Sequence, residues 1–449
     1  MLCYIITFGV NHGIALKIKN ILLAATVYFG LSAIAHAQDS HGHDHHGHGH
    51  GGVGFYGHLD LQAQGDTHLD GDWFDKRFSE SYSHSHLELG YRMKSGFSIN
   101  ANIKLEGEAS GHDHHGHGQG GEEHADEEHH DEDEHHDEDE HAEEEHHDED
   151  EHHDEDEHAE DEHHDEDEGH PGDKDDKFFE DHPIFIAALT LNYDTENFSA
   201  YAGKFNPVVG VDYHSFPGMY ISTLVEHYAI RERVGAGFKV RHDLEDFGKH
   251  SLEISSFMAD TTFLSDSVLR QRGNTSKEDG GPSNTQRFNS YAISLEGSNF
   301  YSLTNNIVEG LSYRIGHAVQ AAAEKSPRDE IRYSVSVGYK HTFTRDLTAR
   351  LMTEHMAINN LNGETDHDRS YNNLALRFSY RNWFAGAAYT LIDNEADEED
   401  ENHDGHVFET SAGYNFPFGL SVEVGYKRSD EENEEKELLG SLLKYSYSF

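Results

Sequence analysis

The sequence predicts an all-β fold: a transmembrane antiparallel β-barrel of about sixteen strands (range about 14–18), carrying a long disordered His/Asp/Glu-rich outer loop. Three observations predict it. Segment after segment alternates apolar and polar residues with a period of two. The connections alternate between short turns and long polar loops. The chain ends on Leu443, Tyr445, Tyr447 and Phe449, an alternating apolar and aromatic row.

The elements follow in chain order. Lys17 and Lys19 precede an apolar run from Ile21 to Ile34, and Ala35-His36-Ala37 supplies a small-x-small cleavage site, so residues 1–37 have the layout of a secretory signal peptide. The one cysteine, Cys3, lies in that segment and leaves the mature chain without a thiol ligand. Residues 38–52 read as a His/Gly-rich N-terminal segment and residues 53–449 as the barrel, with a loop at 110–182 inserted in it. Strand-like segments lie near 54–64, 83–93, 97–109, 184–193, 198–205, 231–241, 251–259 and 288–296. Eight more follow near 306–317, 330–343, 347–357, 371–380, 383–392, 406–416, 420–428 and 438–449. Ile331, Tyr333, Val335 and Val337, for example, alternate with Arg332, Ser334, Ser336 and Gly338. A strand with lipid on one side and water on the other needs that pattern. Short turns lie near Lys94–Gly96, Asp194–Asn197, Asp243–Lys249, Arg381–Asn382 and Pro417–Gly419. The long loops include Asp66–Ser81, Ser110–His182, Asp260–Arg287, Asn359–Arg369 and Asn394–Gly405, with acidic Asp430–Glu437 as an eighth. No internal apolar run is long enough for a spanning helix.

The terminal strand resembles the closing strand of bacterial outer-membrane barrels, whose assembly machinery reads a final aromatic, here Phe449. The barrel as a whole resembles the porin families. That resemblance implies outer-membrane lipid as the surroundings, a Gram-negative outer membrane as the location, and a homotrimer among the assemblies. A barrel of this size leaves a lumen, and in porin-like proteins the third outer loop folds into it. Here that loop is Asn206–His227, far more apolar than its neighbours. It offers Asp212, His214, Glu226 and His227, and the next strand offers Arg231 and Arg233. Two readings stand for these residues: opposed charges that set a transverse field across a pore constriction, or pairs that fix the loop to the wall.

Lys+Arg number 33 against 87 Asp+Glu, a net charge of −54, which excludes nucleic acid as a partner because phosphate contacts need clustered cations. The mean hydropathy of −0.80 would also exclude a membrane protein, but that average hides two unlike chains. From Glu122 to Glu168 there are 31 acids, 13 His and 3 Ala, with no Lys or Arg. Gly42–Gly52 and Gly111–Gly121 share one eleven-residue motif that differs only at His50 against Gln119, and a seventeen-residue repeat starts at His129, His146 and His163. Imidazole is the usual ligand of borderline divalent ions, and carboxylates complete such shells. The candidate ligands are His43, His45, His46, His48 and His50 in the first copy, and His112, His114, His115 and His117 in the second. The repeat adds His129, His130, His135, His136, His146, His147, His152, His153, His163 and His164. Zinc is the expected ion, transiently bound, with copper and nickel competing for the same donors. A flexible loop of this length has an r.m.s. span of roughly 45–50 Å, comparable with a barrel mouth.

The His-rich insertion resembles the outer-loop His clusters of outer-membrane zinc-uptake receptors. Those have about twenty-two strands and an N-terminal plug, whereas Gln38–Gly52 is far too short for a plug. The expected function is therefore a porin-like channel that concentrates divalent metal ions at its mouth. The alternatives are a metal-buffering surface barrel without open conductance and an energy-coupled receptor. No local nucleophile motif supports an enzyme.

Overall fold

The computed structural model describes residues 53–69, 79–107, 177–179, 182–268, 275–300, 310–396, 404–431 and 434–449. The expected signal peptide, the N-terminal His segment and the His/acid tract, with all nineteen of their candidate metal ligands, lie outside the described residues. One eighteen-stranded sheet contains sixteen long strands and two two-residue strands. The long strands are β1 (Gly54–His68), β2 (Ser79–Arg92), β3 (Phe97–Glu106), β4 (Ile184–Asp194), β5 (Phe198–Phe205), β6 (Arg233–Asp243), β7 (Lys249–Ala259) and β8 (Ser290–Ser298). They continue as β9 (Leu311–Gln320), β10 (Glu330–Thr344), β11 (Leu347–Asn359), β12 (Asp368–Tyr380), β13 (Trp383–Glu395), β14 (Gly405–Asn415), β15 (Leu420–Glu431) and β16 (Glu434–Ser448). Each long strand pairs antiparallel with its successor, and β16 closes on β1 from His58↔Ser448 to His68↔Leu438. The ring has no free edge, which a backbone surrounded by lipid requires. Of the two short strands, Lys177–Phe178 pairs with β2, and Ser267–Val268 pairs with the start of β4.

Alternation sets the two faces of the wall. On β10, Tyr333, Val335 and Val337 are 49%, 51% and 40% exposed, whereas Glu330, Arg332, Ser334 and Ser336 are buried on the lumenal side. The outer face therefore meets lipid and the inner face water or protein: this is a membrane-spanning barrel. Aromatic rings cluster beside the short turns. Phe55 packs on Tyr91 at 4.7 Å, Phe97 on Tyr193 at 5.0 Å, and Trp383 on Tyr414 at 4.8 Å. Amphipathic rings at that height form the interfacial girdle of such barrels. Phe449 belongs to it, its backbone bonded both ways to Gly57 at 2.9 and 3.0 Å. Among the described residues, no helix is long and apolar enough to cross a membrane.

Several boundaries differ from the sequence expectation. Strands β1 and β2 run on to His68 and back to Ser79, into the segment read as a loop. Their outer ends carry polar residues on both faces, which hides the period, yet Asp66 accepts hydrogen bonds from Gln64 and from Tyr82 across the two strands. The acidic stretch read as an eighth loop is also largely strand: Asp430 pairs with Glu435 and Glu431 with Glu434. Arg428 offsets those charges, reaching Glu435 at 3.3 Å and Glu437 at 3.7 Å. Arg231 precedes β6 rather than opening it, because Glu232 adopts a left-handed φ of 54° that interrupts the extended chain.

The apolar core lies inside the barrel. Loop 3, residues 206–232, buries Val209, Phe216, Ile221, Val225, Tyr228 and Ile230 against lumenal side chains, among them Phe257 on β7, Met352, Met356 and Ile358 on β11, and Tyr371 on β12. On β11 the lumenal phase sets Met352, Met356 and Ile358 around the buried Glu354, while Thr353 and His355 face outward and exposed. The loop docks on this mainly apolar stretch of wall through both its side chains and that carboxylate.

Candidate lumenal site

Loop 3 contains a 3-10 turn (Tyr213–Ser215) and one short helix, α1 (Ile221–His227). Asp212 caps the turn by accepting the His214 amide at 3.1 Å. The helix start is tied across the lumen: the amides of Met219, Tyr220 and Ile221 donate to the Glu409 carboxylate of β14 at 3.0, 2.8 and 2.7 Å. A helix start leaves its first amides without partners, and a carboxylate satisfies them. The far ends of the loop converge on Glu354 of β11, which accepts the Val211 amide at 2.7 Å and the Tyr228 hydroxyl at 2.6 Å. Two further bonds complete the suspension, Tyr220 Oη to Asp66 at 2.8 Å and Arg314 to the Gly210 carbonyl at 2.8 Å. Glycine is required at the closest approach: a Cβ on Gly218 would stand 1.9 Å from Glu409 Oε1.

The six residues singled out for a constriction divide into separate groups. Glu226 and Arg231 meet directly at 2.7 Å, and Glu226 also holds Lys104 of β3 at 2.6 Å. Lys104 in turn reaches Glu106 at 3.1 Å. Burial and the Glu106 carboxylate push Glu226 up, but Lys104 and Arg231 outweigh them and hold it at about 2. Arg233 turns away to Gln320 of β9, with 3.2 and 3.0 Å bonds. His227 ends α1, half-buried. His214 stands at the loop tip, its ring 5.6 Å from that of His86. Protein surroundings lower His214 to about 4, against the pull of Asp212 and Glu226, so its imidazole is neutral at neutral pH.

Two cavities flank the tip. The larger, about 1080 Å³, is lined on one side by His58, Gln62, Gln64, His84, His86, Lys104 and Glu106, and it reaches Phe416, Phe418 and Phe449 at the short-turn end. The smaller, about 260 Å³, lies between loop residues His214–Pro217 and the cations Lys340, Arg350 and Arg377 of β10–β12. His214, Phe216 and Arg377 border both. In a ring of sixteen, β2 and β10 stand opposite each other, so a His-rich wall whose acids are paired with Lys104 and Lys444 faces a cationic wall across the tip. The sequence expectation places the opposing charges within loop 3 and in the Arg231 and Arg233 that follow it; the structure adds the cations of the far wall. The period-two phase that puts Lys340 on the lumenal side of β10 was the available signal.

The larger cavity also holds a compact donor group. His58 and Asp60 are alternate residues on the lumenal face of β1, and His86 pairs with Asp60 across the β1–β2 ladder. One donor atom from each lies within 4.8 Å of the others, a spacing that could admit a metal ion. Asp60 is 3.8 Å from Nε2 of both His58 and His86, and the nearest charged group to it is the Lys444 ammonium at 2.9 Å. The hydroxyl of Ser446 donates to Asp60, and His58 Nδ1 lies 2.9 Å from Ser448 Oγ. Only the β1–β2 register brings His86 beside Asp60 and His58.

The chain matches no family model and no curated protein. In fold it is similar to OprB of Pseudomonas putida at high pH, with a TM-score of 0.53, 10% identity, and 88% of this chain and 94% of that one covered. It also aligns with the outer membrane channel DcaP of Acinetobacter baumannii at a TM-score of 0.45 and 10% identity, covering 88% and 97% of the two chains. The outer membrane protein OpdK of Pseudomonas aeruginosa aligns at 0.45 and 9%, covering 89% and 100%. At such identities the likeness to OprB is one of barrel fold.

Proposed function

We propose that this chain is a porin-like channel of a Gram-negative outer membrane that passes small solutes, with divalent metal ions, zinc foremost, gathered at its mouth by the His/Asp/Glu tract. The observation that carries the channel reading is the suspended loop 3, which leaves a large cavity with a His-rich, charge-paired wall and a smaller one with a cationic wall. Opposed charges across a narrow aqueous space sort permeants by sign. The metal reading is supported by the donor chemistry of the tract, whose ends connect by sequence to β3 and β4. A dense field of carboxylates concentrates cations wherever it is tethered. Planar-bilayer recording of the purified chain tests the channel, and zinc uptake at limiting zinc with and without Gly111–His170 tests the tract. Equal uptake by the two removes the tract from the mechanism.

One observation favours the competing reading of a closed, metal-buffering barrel: the apolar cluster beneath loop 3, where Val225 and Phe257 have no exposed surface. Absence of ion current in the bilayer would select it. An energy-coupled receptor, built on about twenty-two strands, fits less well with a ring of sixteen long strands.

A further inference from the structure

We infer that His58, Asp60 and His86, completed by His214 from loop 3, form a lumenal binding site for one divalent transition-metal ion, with the Lys444 ammonium as the tethered cation that this ion displaces. The inference rests on the channel reading, because an ion reaches these side chains through the lumen. Imidazole with carboxylate is a donor set that zinc, nickel and copper take, whereas calcium and magnesium prefer oxygen shells.

The geometry is close to what binding needs. Bonds of about 2.1 Å at tetrahedral angles put donor atoms about 3.4 Å apart. The three donors here lie within 4.8 Å of one another, and both Asp60–His distances are 3.8 Å. Side-chain rotations that close at most about 1.4 Å suffice, on strands held in fixed register. The contact between His58 Nδ1 and Ser448 Oγ turns Nε2 toward Asp60, the kind of partner that fixes a ligand ring. The tip of loop 3 adds a fourth imidazole, with the His214 and His86 rings 5.6 Å apart.

Lys444 sets the strength of the site. Its ammonium sits on Asp60 Oδ2, the oxygen that also faces His86. A dication must push it aside, and the side chain, 33% exposed, has lumenal water to swing into. A site with its own built-in competitor binds weakly and releases readily, and conduction needs both.

The test uses the full chain in planar bilayers, with potassium current recorded as zinc chloride is added. The His-rich tracts are present in every variant, so differences report the lumen. His86→Ala should raise the half-blocking zinc concentration about tenfold or more, and Lys444→Met should lower it by about tenfold. A purely structural role for the Lys444–Asp60 pair would not sharpen the response to zinc. Heat-modifiable migration on gels establishes that each variant has formed its barrel, with His86→Gln replacing any alanine variant that does not. Equal half-blocking concentrations in all chains overturn the inference while leaving the channel reading intact. If the chain passes no potassium current, the channel reading fails. Anomalous diffraction at the zinc edge from the full chain then decides the site: a peak between His58 and His86 supports it, and no peak overturns it.

Discussion

Replacing Glu409 with Ala removes the one carboxylate that receives three consecutive loop-3 amides, those of Met219, Tyr220 and Ile221. Hydrogen bonds to a charged acceptor contribute about 1.5–3 kcal/mol each, so three give a gross figure of roughly 4.5–9 kcal/mol. Two effects offset it. The native protein bears the desolvation of a carboxylate that is only 2% exposed, several kcal/mol in its own right. Lumenal water also takes up the freed amides in the variant. The expected net weakening of loop docking is about 3 kcal/mol, equivalent to about a hundredfold change in the docked-to-undocked ratio. Amide hydrogen exchange reads this directly, because protection at these positions reports local opening. Exchange at Met219–Ile221 should accelerate by about a hundredfold in Glu409→Ala, and by a smaller factor in Glu409→Gln, which keeps one acceptor oxygen. Protection unchanged in both variants would refute the suspension argument, and the loop would then be held by its apolar contacts alone.

Gly218→Ala places a methyl against Glu409 Oε1 and should mimic Glu409→Ala in the same exchange measurement. Met356→Ala opens a cavity beneath the loop and should weaken docking by about 2–5 kcal/mol without altering exchange in the β14–β16 wall. Acid should loosen the loop through Glu226. Its carboxyl is held at about 2, below the ordinary 4.5, so its contribution is full above pH 4.5 and is lost as pH falls from 4.5 through 2. That loss is at most roughly 3 kcal/mol, and loop protection measured from pH 5 to pH 2 should lose this step in Glu226→Gln. Deleting Phe449 should reduce the yield of heat-modifiable barrel, since its backbone closes the ladder on Gly57 and its ring belongs to the aromatic belt.

The strands were legible because lipid enforces a clean period of two; β5 was read at Phe198–Phe205, the span it occupies. The pattern weakens wherever lipid stops enforcing it. At the outer ends of β1, β2, β15 and β16 both faces are polar, so strand read as loop. On β11 the apolar phase points inward because loop 3, not lipid, covers it. The loop itself stood out by composition, and its pairing of Glu226 with Arg231 follows from five residues of separation on a short helix and turn. Its partners on the wall did not stand out. Glu409, Glu354 and Lys104 lie far away in sequence, and their roles depend on strand register around a closed ring. The His58–Asp60–His86 group was hidden for the same reason.

The apolar cluster under loop 3 draws on β5, β7–β9 and β11–β13, whereas the larger cavity is lined mainly by β1–β3 and β14–β16. The larger aqueous space is thus eccentric, hugging one arc of the wall, while the outer half of the opposite arc serves as a buttress and Lys340, Arg350 and Arg377 on β10–β12 border the smaller cavity. Mutational sensitivity should split along that line. Substitutions on the buttress would register as changes in loop docking. Substitutions on the wet arc, which includes the seam where the first and last strands meet, would register as changes in what passes.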